Sequence, residues 1–120
     1  MTSARRVAVF IDAENVSAKF AKRVFGLCSE WGDVKVARCY GHAAALKGWD
    51  KAQAEYHIRP VLTPGWADKG NASDFSLVID AVSLLLSQAL EDIVIVSSDA
   101  DFAQLAVFAR EHGAAVHGIG

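Results

Sequence analysis

The chain has 120 residues, 52% of them hydrophobic, which is enough to bury the core of one globular domain spanning residues 1–120. Its 12 basic and 14 acidic residues give a net charge of −2, and this balance argues against a strongly basic protein that binds nucleic acids non-specifically. Cys28 and Cys39 are too few for a disulfide framework, and no apolar run approaches the ~20 residues of a membrane span, so we expect a soluble, cytoplasmic protein.

The chain begins with a strand and a helix. The apolar run 7–11 is typical of a buried strand, and it delivers Asp12 to the carboxyl end of that strand. Residues 17–31 carry apolar side chains three or four positions apart, which indicates an amphipathic helix that ends at Gly32. The apolar positions of this helix are Phe20, Val24, Leu27, Cys28 and Trp31.

The sequence signals for the next three elements are weaker. Alternating side chains over 33–40 predict a second strand, and helical spacing predicts a helix over about 47–57. Residues 58–63 predict a short third strand. Because Pro60 cannot donate a hydrogen bond to a neighbouring strand, this strand is expected at an edge of the sheet.

A turn-rich loop over 64–71 leads into the helix with the strongest apolar pattern. We expect this helix to begin at Ser73-Asp74 and to pack one wide apolar face into the core. The residues of that face are Phe75, Val78, Ile79, Val82, Leu85, Leu86 and Ala89.

The last third predicts a central strand that ends in two aspartates. The run 93–96 consists of β-branched aliphatic residues, and Asp99 and Asp101 follow it closely. A helix over 102–113 and a final strand over 114–119 complete an alternation that predicts a parallel, doubly wound α/β sheet.

Acidic residues therefore follow two predicted strands at the sheet edge where α/β proteins bind ligands. One interpretation is structural, because Asp99 could cap a helix and Asp101 could interact with its dipole. The other is a metal site, because clustered carboxylates repel one another unless a cation such as Mg²⁺ joins them. Asp80 lies six residues after Asp74, ~120° round a helix, so we place it outside the ligand shell.

Three motifs resemble those of NYN domains, a branch of the PIN-like nucleases. They are Val9-Phe10-Ile11-Asp12-Ala13-Glu14-Asn15, Lys69-Gly70-Asn71-Ala72-Ser73-Asp74 with Val78-Ile79-Asp80-Ala81, and Val96-Ser97-Ser98-Asp99-Ala100-Asp101-Phe102. The resemblance implies a Rossmann-like PIN fold with strand order 3-2-1-4-5. It also implies that Asp12, Asp74, Asp99 and Asp101 are the catalytic, metal-binding carboxylates, with Asn15 and Asp80 in a second shell. His42 is a departure, because related bacterial chains commonly have an acidic residue there.

The function implied is Mg²⁺- or Mn²⁺-dependent cleavage of RNA, with single-stranded RNA expected as the partner. Phosphate contacts are expected from Lys69, Arg38 and Arg59, and base stacking from Tyr40 and Trp66. The alternative to an RNA contact is that each cation is solvated at the surface and each aromatic side chain packs in the core. A non-catalytic RNA-binding or scaffold module is the second hypothesis, and phosphatase and topoisomerase-primase folds are minor ones. The resemblance leaves open a homodimer and a winged-helix-like (LOTUS) RNA-binding module beyond Gly120.

Overall fold

Five parallel strands form the centre of the protein in the computed structural model, which describes residues 4–63, 72–98 and 102–120. The sheet has the order β3-β2-β1-β4-β5, which confirms the predicted order and the predicted edge position of the strand with Pro60. The strands are β1 (Arg6–Asp12), β2 (Asp33–Gly41), β3 (Arg59–Leu62), β4 (Asp92–Val96) and β5 (Ala115–Ile119).

Helices cover both faces of this sheet. Side chains of β1 point alternately to the two faces, so Val7, Val9 and Ile11 pack towards α1 (Ala21–Trp31), while Ala8 and Phe10 pack towards α4 (Ala72–Ser87). Within the described residues, no helix is both long and apolar enough to cross a membrane. The helices are α1 (Ala21–Trp31), preceded by a 3₁₀ turn (Ala18–Phe20), α2 (Ala43–Lys47), α3 (Asp50–Tyr56), α4 (Ala72–Ser87) and α5 (Ala103–Glu111).

The helix predicted over about 47–57 is wrong in its extent. The structure has two short helices, α2 and α3, and the break between them lies at Gly48 and Trp49. Trp49 is 1% exposed, and its indole Nε1 donates to the Val16 carbonyl oxygen at 3.1 Å. Because this buried tryptophan is anchored to a distant turn, the break serves tertiary packing that helical spacing alone does not reveal.

The predicted buried face of α4 is wrong in part: Val78, Val82 and Leu85 pack half-buried against the core as expected, but other members of that face do not. The core contains Leu77, Ala81 and Leu84, whereas Phe75 and Ile79 are each 66% exposed. This helix is apolar on nearly every side, so the periodicity of its sequence does not select one face. The small side chain of Ala81 lets α4 approach the sheet closely, and Leu86 is left 64% exposed on the outer side.

The amino-terminal edge of the sheet, opposite the predicted site, is held by a buried carboxylate. Asp92 accepts a hydrogen bond from Arg5 Nε at 2.6 Å and forms another with His117 Nε2 at 2.9 Å. Trp31 stacks on the His117 ring with centroids 3.8 Å apart. The next residue along the chain is Gly32, and only glycine fits there, because a Cβ would lie 2.3 Å from the Arg5 carbonyl oxygen. These contacts join α1, β4 and β5 at one end of the molecule.

Candidate functional site

Asp12 is the last residue of β1 and lies at the carboxyl edge of the sheet, between β2 and β4. It continues the series of β1 side chains that face α4, and 1% of the residue is exposed. The chain then turns sharply, because the N–H groups of Asn15 and Val16 donate to the Asp12 carbonyl oxygen at 3.3 and 3.0 Å. A carboxylate is therefore held at the end of the central strand.

The two carboxylate oxygens of Asp12 have different surroundings. Oδ2 accepts hydrogen bonds from the Asn15 side-chain amide at 2.8 Å and from the Ser97 hydroxyl at 3.0 Å. Oδ1 is buried and has no hydrogen-bond partner in the described part of the chain. Leaving a buried polar atom unsatisfied costs about 1–3 kcal/mol, and more if it is charged. Among the described residues, this arrangement thus leaves one buried carboxylate oxygen open to a further ligand.

Ser97 is a contact that the sequence interpretation did not assign to the site. It follows β4 directly, and its backbone N–H donates to the Ile119 carbonyl oxygen at 2.9 Å while its hydroxyl reaches Asp12. A hydroxyl directly after a buried strand that pairs with β1 is the signal that could have identified it. Ser97 therefore couples the ends of β1 and β4.

Asp80 lies on the same side of the sheet but binds other residues. Its Oδ2 accepts hydrogen bonds from Arg38 Nη1 and from the Tyr40 hydroxyl, both at 2.8 Å. Arg38 and Asp80 form an ion pair whose side chains are 20% and 27% exposed. Asp80 thus joins α4 to β2, and the charge of Arg38, which was expected to contact phosphate, already has a partner.

The expectation that Tyr40 stacks on an RNA base is wrong. Tyr40 pairs with Asp12 across the β1–β2 ladder, yet its side chain is completely buried beneath α4. Burial, followed by the hydrogen bond to Asp80, raises the pKa of the Tyr40 hydroxyl. The ring is a core side chain, and its hydroxyl is a neutral donor that keeps Asp80 in place.

The other predicted site residues are placed less centrally. Asp74 lies in the first turn of α4, the helix that packs on β1 and β2, and is partly exposed. Arg59 begins the edge strand β3, is exposed, and pairs in register with Arg38. Four predicted residues, Asp99, Asp101, Lys69 and Trp66, lie outside the described residues.

His42, the departure from the expected acidic residue, has a local structural role. Its ring Nδ1 accepts a hydrogen bond from the Ala45 N–H at 3.2 Å and so caps α2. Its own N–H donates to Glu14 Oε2 at 3.0 Å. Glu14 therefore supplies a carboxylate beside β2, although it belongs to the turn after β1.

A hard divalent cation fits the chemistry of this edge. Such cations take oxygen ligands, usually carboxylates together with water, and Asp12 Oδ1 is a buried carboxylate oxygen that meets this need. Among the described residues, no three His, Cys, Asp or Glu side chains converge as a complete ligand set. Two of the four predicted ligands, Asp99 and Asp101, are not among those residues.

The strand order and the helices on both faces define a PIN-like α/β domain. The sequence model of the NYN domain family matches residues 6–120, and the chain belongs to that family, whose members are typically PIN-like nucleases that depend on a divalent metal. The fold is similar to that of a solved protein of unknown function from Vibrio parahaemolyticus RIMD 2210633, with a TM-score of 0.74, 18% identity, and coverage of 98% of this chain and 85% of that one. No curated protein matches the chain significantly.

Proposed function

We propose that this protein is an endoribonuclease that hydrolyses phosphodiester bonds of single-stranded RNA with Mg²⁺ or Mn²⁺ at the carboxyl edge of its sheet. The observation that carries the proposal is Asp12 Oδ1, a buried oxygen without a hydrogen-bond donor in the described part of the chain. A fully buried carboxylate that serves only the fold has both oxygens satisfied, as Asp92 has. Membership of the NYN family supports nuclease chemistry at this place.

The carboxylates that would hold the cation are Asp12 and, from the sequence motifs, Asp74, Asp99 and Asp101. Bound there, the cation would polarise the scissile phosphate and lower the pKa of the attacking water. Asn15 and Ser97 both donate to Asp12 Oδ2, so they fix the orientation of the carboxylate and leave Oδ1 for the ligand. Lys69, Trp66 and Arg59 remain proposed RNA contacts.

End-labelled single-stranded RNA incubated with the purified domain tests this function. We expect cleavage with Mn²⁺ or Mg²⁺ and none in EDTA, because the attacking water is a weak nucleophile at neutral pH without a cation. Asp12→Asn should abolish cleavage. Asn15→Ala, which removes a partner of a metal ligand, should lower activity by about 10–100-fold.

Asp33→Asn is the matched control, because this exposed aspartate lies at the opposite end of the sheet. It should cleave like the parent. Cleavage in EDTA, or equal cleavage by Asp12→Asn, would contradict the proposed site. RNA binding with no metal-dependent products would favour the non-catalytic RNA-binding module instead.

A further inference from the structure

Two adjoining depressions lead away from the candidate site on the α1 side of the sheet. The first, of about 390 Å³, is lined by Glu14, Asn15 and Trp49 among others, and Asn15 also contacts Asp12. The second, of about 560 Å³, lies between the start of α1 and the α2–α3 pair. Ala18 and Gly48 line both depressions, so the two adjoin each other. We call the second one the lysine groove, after Lys19, Lys22, Lys47 and Lys51, which line it.

The lysine groove concentrates positive charge in a protein whose net charge is −2. All four lysines are exposed, and in the described part of the chain none of them forms an ion pair. The acidic residues on the groove wall are Asp50 and Glu55, which leaves a local excess of two positive charges, 4 − 2. Glu14, at the junction with the site, accepts a hydrogen bond from the His42 N–H.

We propose that the lysine groove binds the phosphate backbone of the single-stranded RNA that flanks the scissile bond. This inference rests on the proposed nuclease function and names the path of its substrate. Lysine ammonium groups bind phosphates as point charges and read no base, so the groove would hold RNA of any sequence. The adjoining depression is lined by Asn15, which touches Asp12, so a strand that leaves the groove there would reach the acidic edge.

This path differs from the one that the sequence suggested. Arg38 was expected to contact phosphate, but it is paired with Asp80 on the α4 side. Arg59 lies beside it on the edge strand. The lysines come from two distant stretches of the chain, Lys19 with Lys22 and Lys47 with Lys51, and folding brings these stretches together.

Salt-dependent binding tests the groove. Fluorescence anisotropy in EDTA would measure the affinity for a labelled single-stranded RNA of about 15 nucleotides, near the largest single-strand site sizes. Each phosphate contact contributes about −0.7 to the slope of log K against log salt concentration. Lys22→Ala/Lys51→Ala, which removes one cation from each wall, should therefore make the slope shallower by about 1.4, with little change in sequence preference.

The matched control is Arg6→Ala/Lys35→Ala, which removes the same charge at the opposite edge of the sheet. Its slope should equal that of the parent. An unchanged slope for Lys22→Ala/Lys51→Ala, or a larger change for Arg59→Ala, would overturn the proposal that the lysine groove binds RNA.

Wild-type hydrolysis of bis(4-nitrophenyl) phosphate, a small diester that needs no flanking strand, reports the chemistry alone. If the wild type hydrolyses this diester and Lys22→Ala/Lys51→Ala binds RNA like the parent, the groove proposal is wrong and the proposed nuclease function stands. If the wild type neither hydrolyses it nor binds RNA, both proposals fail.

Discussion

Three aspartates of this protein are shielded from solvent to different degrees and differ in how their charge is compensated. Asp92 binds Arg5 and His117, and Asp80 binds Arg38 and Tyr40. Within the described residues, Asp12 has only the neutral donors Asn15 and Ser97 and forms no ion pair. A buried carboxylate without a cation is costly, so the residues that surround Asp12 favour a ligand that brings positive charge.

Asp12→Asn separates a metal ligand from a structural carboxylate. In EDTA the variant should melt no lower than the parent, because the substitution removes a buried charge that pairs with no cation in the described part of the chain. At a concentration of 100 times its Kd, Mg²⁺ or Mn²⁺ should stabilise the parent by about 2.7 kcal/mol and so raise its melting temperature. The melting temperature of the variant should rise much less. Thermal melts with and without metal measure both effects. If the variant melts lower than the parent in EDTA and metal does not change the melting temperature of the parent, Asp12 is a structural carboxylate.

Asp92 gives a prediction about pH. Burial alone raises its pKa, but the hydrogen bonds from His117 and Arg5 outweigh this and hold the pKa below the ordinary value of 3.8. The stabilising effect of Asp92 is therefore complete above pH 3.8. As the pH falls below 3.8, the unfolded chain binds a proton before the folded protein does, so the effect is lost as the pH passes through the lower pKa of the folded state.

Asp92→Asn should accordingly lower the free energy of unfolding by about 1–3 kcal/mol at neutral pH, because two hydrogen bonds lose a charged acceptor. The difference from the parent should shrink as the pH falls below 3.8. Urea denaturation at neutral and acidic pH measures it, with the exposed Asp33→Asn as control. A difference that stays constant with pH would show that lost packing, and not charge, causes the effect.

At the scale of elements, α4 shows what periodicity does not decide. The helix is apolar on nearly all sides, and it buries the side with Leu77, Ala81 and Leu84 while Phe75 and Ile79 face solvent. The buried side is chosen by the partner surface: β1 and β2 offer Phe10 and Tyr40, and Asp80 must reach Arg38. One helix therefore both closes the core and anchors β2 beside the site.

Two truncations on α4 test this orientation. Leu77→Ala should lower the free energy of unfolding by about 2–5 kcal/mol, because it leaves a cavity in the core. Ile79→Ala should change it by no more than about 0.5 kcal/mol, because the side chain is 66% exposed. Urea denaturation of both variants at the same protein concentration measures the contrast. The reverse order would restore the buried face that the sequence predicted.

At the scale of the whole molecule, charge is separated between two regions. Carboxylates lie at the carboxyl edge of the sheet, whereas four lysines line the groove that adjoins it, although the net charge is only −2. Such a distribution suits a substrate whose backbone is anionic and whose scissile group is brought to a metal site.

RNA binding should therefore depend on salt only modestly. If the four lysines supply the phosphate contacts, the slope of log K against log salt concentration should be about −3 or shallower, from about −0.7 per contact. Titrations in EDTA at several salt concentrations between about 50 and 200 mM measure it. A much steeper slope would show that a larger basic surface takes part.

The sequence by itself determined the sheet and the position of its acidic edge. The alternation of apolar runs and helical segments predicts a parallel, doubly wound sheet, and its strand order follows from the resemblance of the motifs to NYN domains. Pro60 restricts its strand to an edge, and Asp12 follows a run that must be buried. These signals are local, so each can be identified without knowing what it packs against. The break between α2 and α3 was missed because it depends on the distant contact of Trp49 with Val16.

Only the tertiary structure decided the buried side of α4, the burial of Tyr40, the hydrogen bond from Ser97 to Asp12 Oδ2 and the pairing of the lysine stretches. Each depends on side chains that are far apart in sequence. Ser97 reaches Asp12 across 85 positions, and Asp80 reaches Tyr40 across 40. The physical reason is that spacing along a chain records which side chains share a face of one element, but not which partner that face meets once the elements pack together.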